Sequence, residues 1–219
     1  KKELGEAKEY YDGVLKAMIE KRDKADPNGP QLRSQYITVM EVGGSYAHKF
    51  FDLLNFLELR TLVVTDLDPV AVPGGEKCLV HEATATSNAC INSWFGGGPC
   101  VPADLLKKPD AERVKGHIRL AHQCREKDDG PCGRTFEDAF LLANAEKFRV
   151  RGSTPEERAD DAHRKAEAFK KSAFALHYAI DDTDWITPKY IDDGLAWLAG
   201  EPGAPPVPAP PHLQAPAAA

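Results

Sequence analysis

Two aspartates that follow a run of apolar residues are the part of this sequence best suited to chemistry. The stretch TLVVTDLDPV, residues 61–70, places Asp66 and Asp68 one residue apart, directly after β-branched and aliphatic residues. A short, fully apolar run of this kind is typical of a buried strand in a parallel sheet. Ligands of open parallel sheets bind outside the carboxyl ends of the strands. We therefore expect both carboxylates at a ligand-binding edge.

A third carboxylate, Glu41, lies at the end of the preceding β-branched segment, YITVMEV (36–42). Three carboxylates that converge on one sheet edge repel one another unless a divalent cation neutralises them. Oxygen ligands with no neighbouring His or Cys favour magnesium or manganese over zinc. The alternative is purely structural, with Asp66 capping a turn and Asp68 preceding a proline-containing loop.

Taken alone, the pattern of four apolar residues followed by DxDxV also fits the first motif of haloacid-dehalogenase-like phosphatases. In that hypothesis Asp66 is the nucleophile, Asp68 is the general acid/base, and IDDTD (180–184) supplies the distal metal-binding acids. However, this acidic cluster follows FALHYA, which has a helical pattern, and such a fold would have to begin with a spare strand-helix unit. The phosphatase is therefore the second hypothesis.

The elements around the aspartates predict an α/β fold. Residues 36–42 and 60–66 have strand patterns, and the glycine-led segment 43–57 between them turns helical. Strand, helix and strand with short joints form a βαβ unit with parallel strands and a right-handed crossover. An opening helix is predicted over residues 3–24, and Ser87 or Thr86 is expected to cap a short helix that follows.

Helical patterns then continue almost throughout from Pro102 to about Trp197, including residues 110–126. A long helix is predicted from Pro155 to about Ile180, with Thr154 as its N-cap and Pro155 at its first position. The Pro/Ala-rich residues 201–219 predict a disordered or polyproline tail.

Composition limits the classes of protein. With 219 residues, 42% of them hydrophobic and 28% charged, the chain is expected to be globular. A net charge of −6 gives no bulk attraction to nucleic acid or to an anionic membrane. The five cysteines are odd in number, which favours a reducing, cytoplasmic setting, and no apolar run approaches the roughly 20 residues of a membrane span. The first residue is Lys, so we expect a fragment with a further domain upstream.

An ordered series of motifs resembles the C-terminal Toprim nuclease region of the OLD (overcoming lysogenization defect) family, in the class with an extra helical domain. The motifs, in chain order, are EVGGSYAHKFFDLLNFLELRTLVVTDLDPV, ATSNACINSWF, RTFEDAFLLAN, KKSAFALHYA and PKYIDDGLAWL. The resemblance implies a Toprim-like, parallel-rich sheet flanked by helices, with an inserted all-helical subdomain. The expected domains are a core of residues 1–100 and 165–200, a helical insertion of residues 101–164, and the tail of residues 201–219.

The resemblance also implies a metal-dependent DNA endonuclease or nickase that uses two Mg²⁺ or Mn²⁺ ions. Asp66 would be a ligand shared by both ions, and Asp68 would hold one ion directly or through water. In the family an ABC-type ATPase precedes this region; the sequence contains no GxxxxGKS/T loop, which fits a fragment that starts after the ATPase. A homodimer formed through the part outside this sequence is a further expectation.

Further acids are needed to complete a metal shell. Toprim sites take one from an EGxxE-like element, but the best match here, LGEAK (4–8), lacks both glutamates at the expected positions. Glu6 and Glu9 lie within a residue or two, and Glu41 is the alternative. Glu82, beside the TSN of residues 86–88, and Glu137 in FEDAF are the other candidate ligands.

One basic residue is expected in the chemistry. Lys171 matches the lysine of the family's KxxFA pattern, and it is predicted to stabilise the charge of the scissile phosphate or of the leaving oxygen. The adjacent Lys170 is the alternative for this role. Without the resemblance, a lysine on a helix is usually a surface residue.

Overall fold

The computed structural model describes residues 2–43 and 45–200, with the side chains of residues 2–12 and 171–172 left out of the description. The α-helices are α1 (Lys2–Ala25), α2 (Phe51–Phe56), α3 (Ala89–Trp94), α4 (Pro102–Leu105), α5 (Phe136–Ala143), α6 (Pro155–Glu167), α7 (Lys171–Leu176) and α8 (Lys189–Ala199). The strands are β1 (Thr61–Val64), β2 (Pro69–Val70), β3 (Ala85–Thr86), β4 (Val114–Lys115) and β5 (Ile118–Ala121). Short 3₁₀ turns occupy Leu32–Ser34, Ala47–Phe50 and Asp110–Arg113, and a π-helical turn, His177–Asp181, extends α7.

The central sheet has the strand order β1-β5-β4. Strand β1 is parallel to β5 and runs in register from Thr61 opposite Ile118 to Val64 opposite Ala121. Strands β4 and β5 form an antiparallel hairpin. Beyond β1 the chain passes through the two aspartates into β2, which pairs antiparallel with β3. The mixed α/β architecture with a parallel strand pair is confirmed.

The prediction of a helix over residues 110–126 is wrong. Val114, Ile118 and Ala121 are spaced by four and three residues, which imitates the apolar stripe of a helix. Instead, Gly116 takes a φ of 58° between β4 and β5, a conformation that glycine adopts without steric cost, and the chain turns into a hairpin. Because β4 and β5 fall inside residues 101–164, an all-helical insertion is not confirmed.

The segment 36–42, predicted as the first strand of a βαβ unit, belongs to no strand in the described part of the chain. Tyr36 is 99% exposed, and Val39 and Met40 are exposed as well. The parallel partner of β1 is instead β5, more than 50 residues later in the sequence. Strand propensity depends on the local sequence, whereas a strand also needs a second strand with which to form hydrogen bonds. Here β5, and not the segment 36–42, is the parallel partner of β1.

The long helix predicted from Pro155 to Ile180 begins as expected but is divided. Thr154 caps α6, since its side chain accepts a hydrogen bond from the Glu157 N–H. Helix α6 ends at Glu167 and α7 begins at Lys171. Across the break, the rings of Phe169 and Phe174 lie 5.2 Å apart; Phe174 is buried in the core, whereas Phe169 is 40% exposed.

The larger hydrophobic core surrounds Phe140 on α5, which is fully buried. Phe174, Tyr178 and Trp185 have ring centroids 5.3, 4.9 and 5.2 Å from that of Phe140, and Val14 and Met18 bring α1 into the same cluster. A second cluster lies where the β1–β5 pair meets α3 and α4; its members include Val63, Leu67, Ile91, Trp94, Leu105 and Leu120. Leu67 is therefore an anchor of the chain between the two aspartates.

Within the described residues, no helix has both the length and the apolar character that crossing a membrane requires. The 24-residue α1 is long enough, but its sequence is rich in Lys and Glu.

Gly133 allows close packing against the first turn of α5. A Cβ atom at this position would lie 2.5 Å from the Ala139 nitrogen and 2.9 Å from the Asp138 carbonyl carbon, both backbone atoms. Gly133→Ala is therefore expected to lower the free energy of unfolding by about 1–3 kcal/mol, as overpacking does in other cores. Gly98, where a Cβ meets nothing within 4 Å, provides the control variant Gly98→Ala. Equal urea midpoints for the two variants would contradict this packing.

Glu126 fixes the start of α8, because its carboxylate accepts hydrogen bonds from the Lys189 N–H at 3.2 and 3.1 Å. Burial raises the pKa of Glu126 to about 7, against the opposing effect of that hydrogen bond and of the Lys189 charge. The raised pKa means that this carboxyl favours folding most below its unfolded value near 4.5. That contribution is lost as the pH rises through about 7.

The variant Glu126→Gln keeps a hydrogen-bond acceptor without a charge. It is expected to be more stable than the wild type at pH 8, by ~1 kcal/mol or less, and to match it near pH 4.5. Thermal unfolding followed by circular dichroism at both pH values measures the difference. If instead the wild type became increasingly more stable than Glu126→Gln as the pH rose, the charged carboxylate would be stabilised by its surroundings.

Candidate functional site

The two aspartates lie on the loop between β1 and β2, on either side of a buried leucine. Leu67 is fully buried, whereas Asp66 and Asp68 are each half-buried. The leucine fixes the loop to the core, and the carboxylates flank it at the carboxyl end of β1. The structure thus brings Asp66 and Asp68 together at the sheet edge that the sequence predicts.

The backbone at Asp68 is strained. Its φ of 46° lies in the left-handed region, which costs a residue with a Cβ roughly 1 kcal/mol, although Asp and Asn tolerate it better than most. The conformation is held in place by Ser87, whose N–H and hydroxyl both donate to the Asp68 carbonyl, at 3.0 and 3.1 Å. Strained residues of this kind concentrate at functional sites.

Asn88 joins the loop to α3. The prediction that Ser87 or Thr86 caps this helix is wrong: the Asn88 side-chain oxygen accepts hydrogen bonds from the N–H groups of Cys90 and Ile91. Its amide nitrogen donates to the Thr65 hydroxyl and the Asp66 carbonyl, both at 2.8 Å, and to the Asp68 carboxylate at 3.2 Å. One buried side chain therefore caps a helix and shapes the aspartate loop.

Sequence reasoning missed Gln123, which follows β5 and is fully buried. Its amide nitrogen donates to the Asp66 carboxylate at 2.5 Å, and its oxygen accepts from the Leu67 N–H at 2.7 Å. A single glutamine carries no recognisable pattern. The signal that could have found it is the position two residues past a strand that pairs with β1.

Tyr190, on α8, is the second residue that sequence reasoning missed. Its hydroxyl lies 3.4 Å from the Gln123 amide nitrogen. Burial raises the pKa of Tyr190 well above its usual value, and the charges of Asp66 and Glu137 raise it further. Glu137, in the first turn of α5, is buried and only 4% exposed. Two of the predicted metal ligands therefore act on the same buried tyrosine.

The other predicted ligands are placed less closely. Glu41 is exposed on the segment that pairs with no strand, and Glu82 is exposed with its carboxylate accepting from the Leu79 N–H at 3.1 Å. Glu6 and Glu9 lie on α1, and Lys171 is the first residue of α7, but their side chains lie outside the described residues. Across residues 2–43 and 45–200, as far as side chains are described, no three His, Cys, Asp or Glu are gathered as a metal site.

The chemistry of the aspartate pair nevertheless fits a hard divalent cation. Asp66 accepts a hydrogen bond from the amide of Gln123, and Asp68 accepts one from the amide of Asn88. A neutral donor orients a carboxylate without adding a charge of its own. Partly exposed carboxylate oxygens in a fixed orientation are the ligands that Mg²⁺ and Mn²⁺ prefer.

The acidic segment 180–184, which the phosphatase hypothesis requires at the site, serves a different contact. The Asp182 carboxylate binds the Lys147 ammonium at 2.7 Å, and Lys147 also donates to the Asp184 carbonyl. Lys21 on α1 donates to the Thr183 carbonyl at 2.5 Å. These contacts hold the end of the π-helical turn against its neighbours. They do not favour the phosphatase hypothesis.

Comparison with known proteins gave two matches. The family model described as "Overcoming lysogenization defect protein-like, TOPRIM domain" matches residues 12–68, a range that ends with the two aspartates. The chain is 26% identical to Endonuclease GajA of Bacillus cereus (strain HuB5-5), over 87% of this chain and 31% of that protein. The chain thus spans about a third of the length of this relative, and no solved structure matches it significantly. Together the two matches confirm the resemblance to the Toprim region of OLD-family nucleases.

Proposed function

We propose that this chain is the catalytic region of a divalent-metal-dependent DNA nuclease. The observation that carries the proposal is the pair of half-buried carboxylates, Asp66 and Asp68, oriented by neutral amides at the carboxyl end of a parallel strand. The match to the OLD-family Toprim model over residues 12–68, and the similarity to a protein named as an endonuclease, support the same function.

In this proposal Asp66 and Asp68 hold Mg²⁺ or Mn²⁺, two ions in the full site, and Glu137 approaches from α5. Glu6, Glu9, Glu41 and Glu82 remain the candidates for completing the shell. When bound, such cations would favour formation of a hydroxide near neutral pH and would stabilise charge on the phosphate and on the leaving oxygen. The chain itself presents the carboxylates in a fixed orientation, through Gln123 and Asn88.

Lys171 is proposed to offset the negative charge that develops on the scissile phosphate or the leaving oxygen. The substrate is DNA, cut within a strand as an endonuclease or nickase. The remaining two thirds of the length of a GajA-like protein leave room for the ABC-type ATPase that the resemblance implies, and for contacts that would form a homodimer.

Asp66→Ala is expected to lower the rate of plasmid cleavage at least 100-fold, because the ligand proposed to be shared by both cations is lost. The assay follows conversion of supercoiled plasmid to nicked and linear forms in Mn²⁺, with and without EDTA. Asp104→Ala is the matched control, since Asp104 is an exposed acid that pairs with Lys107. Cleavage that persists in EDTA, or that is equal in wild type and Asp66→Ala, would overturn the proposed function.

Asp68→Asn separates the charge at Asp68 from its backbone conformation. Asparagine tolerates the left-handed region at least as well as aspartate, and it can still bond to Asn88 after an amide flip. We expect at least 10-fold slower cleavage with a melting temperature equal to or above that of wild type. A fall in melting temperature large enough to account for the whole loss of cleavage would indicate instead that Asp68 matters only for folding.

A further inference from the structure

Gln123 uses its whole amide group at the aspartate loop. It is fully buried, and it links the end of β5 to the end of β1 through the Asp66 carboxylate and the Leu67 N–H. The two contacts fix the orientation of the amide independently. The Leu67 N–H requires the oxygen of the amide, and the Asp66 carboxylate requires its nitrogen, so a flipped amide would lose both hydrogen bonds.

The second hydrogen of the Gln123 amide nitrogen has a partner as well. The Tyr190 hydroxyl oxygen lies 3.4 Å away, and the tyrosine is itself 2% exposed within the packed face of α8. Since the buried ring cannot move freely, the amide is held from α8 as well as from β1. The glutamine is thus fixed on one side by backbone and on the other by a rigid aromatic ring.

The fixed amide of Gln123 restricts the orientation of the Asp66 carboxylate. A carboxylate on a loop can rotate about its last bond, and a metal ion that binds it must stop that rotation. When one oxygen already accepts a short hydrogen bond from a rigid donor, the orientation is set before the ion arrives, and less conformational entropy is lost on binding.

We infer that Gln123, braced by the Tyr190 hydroxyl, is a positioning residue that holds the Asp66 carboxylate in the orientation required for binding a divalent cation. This inference rests on the proposed function. It assigns a role to two residues that do not themselves touch the cation or the DNA.

Gln123→Met tests the inference because methionine has nearly the same volume and no hydrogen-bonding amide. We expect Mn²⁺ affinity, measured by electron paramagnetic resonance of the free ion, to fall at least 10-fold, as is usual for residues that orient metal ligands. In the plasmid assay, the Mn²⁺ concentration for half-maximal cleavage should rise by a similar factor, and saturating Mn²⁺ should restore most of the rate.

Asn144→Leu is the matched control. Asn144 is also a buried amide, and it bonds to the Ile186 backbone N–H and carbonyl at 2.6 and 2.9 Å, so its loss removes comparable hydrogen bonds from the segment that precedes α8. Its Mn²⁺ affinity should equal that of wild type. Equal weakening in the two variants would reduce the role of Gln123 to general stability and overturn the inference.

Tyr190→Phe decides the case if Gln123→Met does not fold, because only one hydroxyl is removed. Mn²⁺ binding about threefold weaker is expected, as for loss of one moderate hydrogen bond. If Gln123→Met folds and binds Mn²⁺ as tightly as wild type does, the inference is overturned and the proposed function stays intact. If only Tyr190→Phe folds, wild-type Mn²⁺ affinity in that variant has the same meaning. A wild-type chain that binds no Mn²⁺ and cuts no plasmid would overturn the proposed function and the inference with it.

Discussion

The parallel pairing of β1 with β5 is the interaction on which the rest of the site depends. Val64 lies opposite Ala121, so the residues two positions further along each chain, Asp66 and Gln123, emerge at the same level of the sheet edge. The 2.5 Å hydrogen bond between them is a direct product of this register. Because side chains alternate between the faces of a strand, a slip of one residue would carry the amide away from the carboxylate.

The same register explains how the chain sustains a strained residue beside a charged one. Leu67 is fixed on three sides: its side chain packs in the core, its N–H donates to Gln123, and its carbonyl accepts from the Thr86 hydroxyl at 2.5 Å. With that residue immobile, the left-handed conformation of Asp68 is imposed by its surroundings. Hydrogen bonds from Ser87 and Asn88 then offset the steric cost.

The sequence was sufficient for features that are encoded locally. A run of β-branched and aliphatic residues ending in DLD predicted β1 and the place of the two aspartates at its carboxyl end, and Thr154 with Pro155 predicted the start of α6. Features that depend on distant contacts were not predictable. Strand β5 carries apolar residues at helical spacing, and only its pairing with β1 shows it to be a strand. Conversely, residues 36–42 have strong strand propensity but no strand partner in the described chain. Gln123 and Tyr190 acquire their significance only once β5 and α8 are placed beside Asp66.

The amides of Gln123 and Asn88 orient the two carboxylates without adding charge to this edge of the sheet. An amide donor satisfies one lone pair and leaves the charge of the carboxylate unchanged, whereas a lysine or arginine neutralises its partner, as Arg119 does for Asp110 and Lys165 for Asp161, each at 2.6 Å. The orientation of Asp66 and Asp68 is in this way separated from the control of their charge. In the proposed function, the hold of this acidic chain on phosphate would then depend on the cation that the two carboxylates bind.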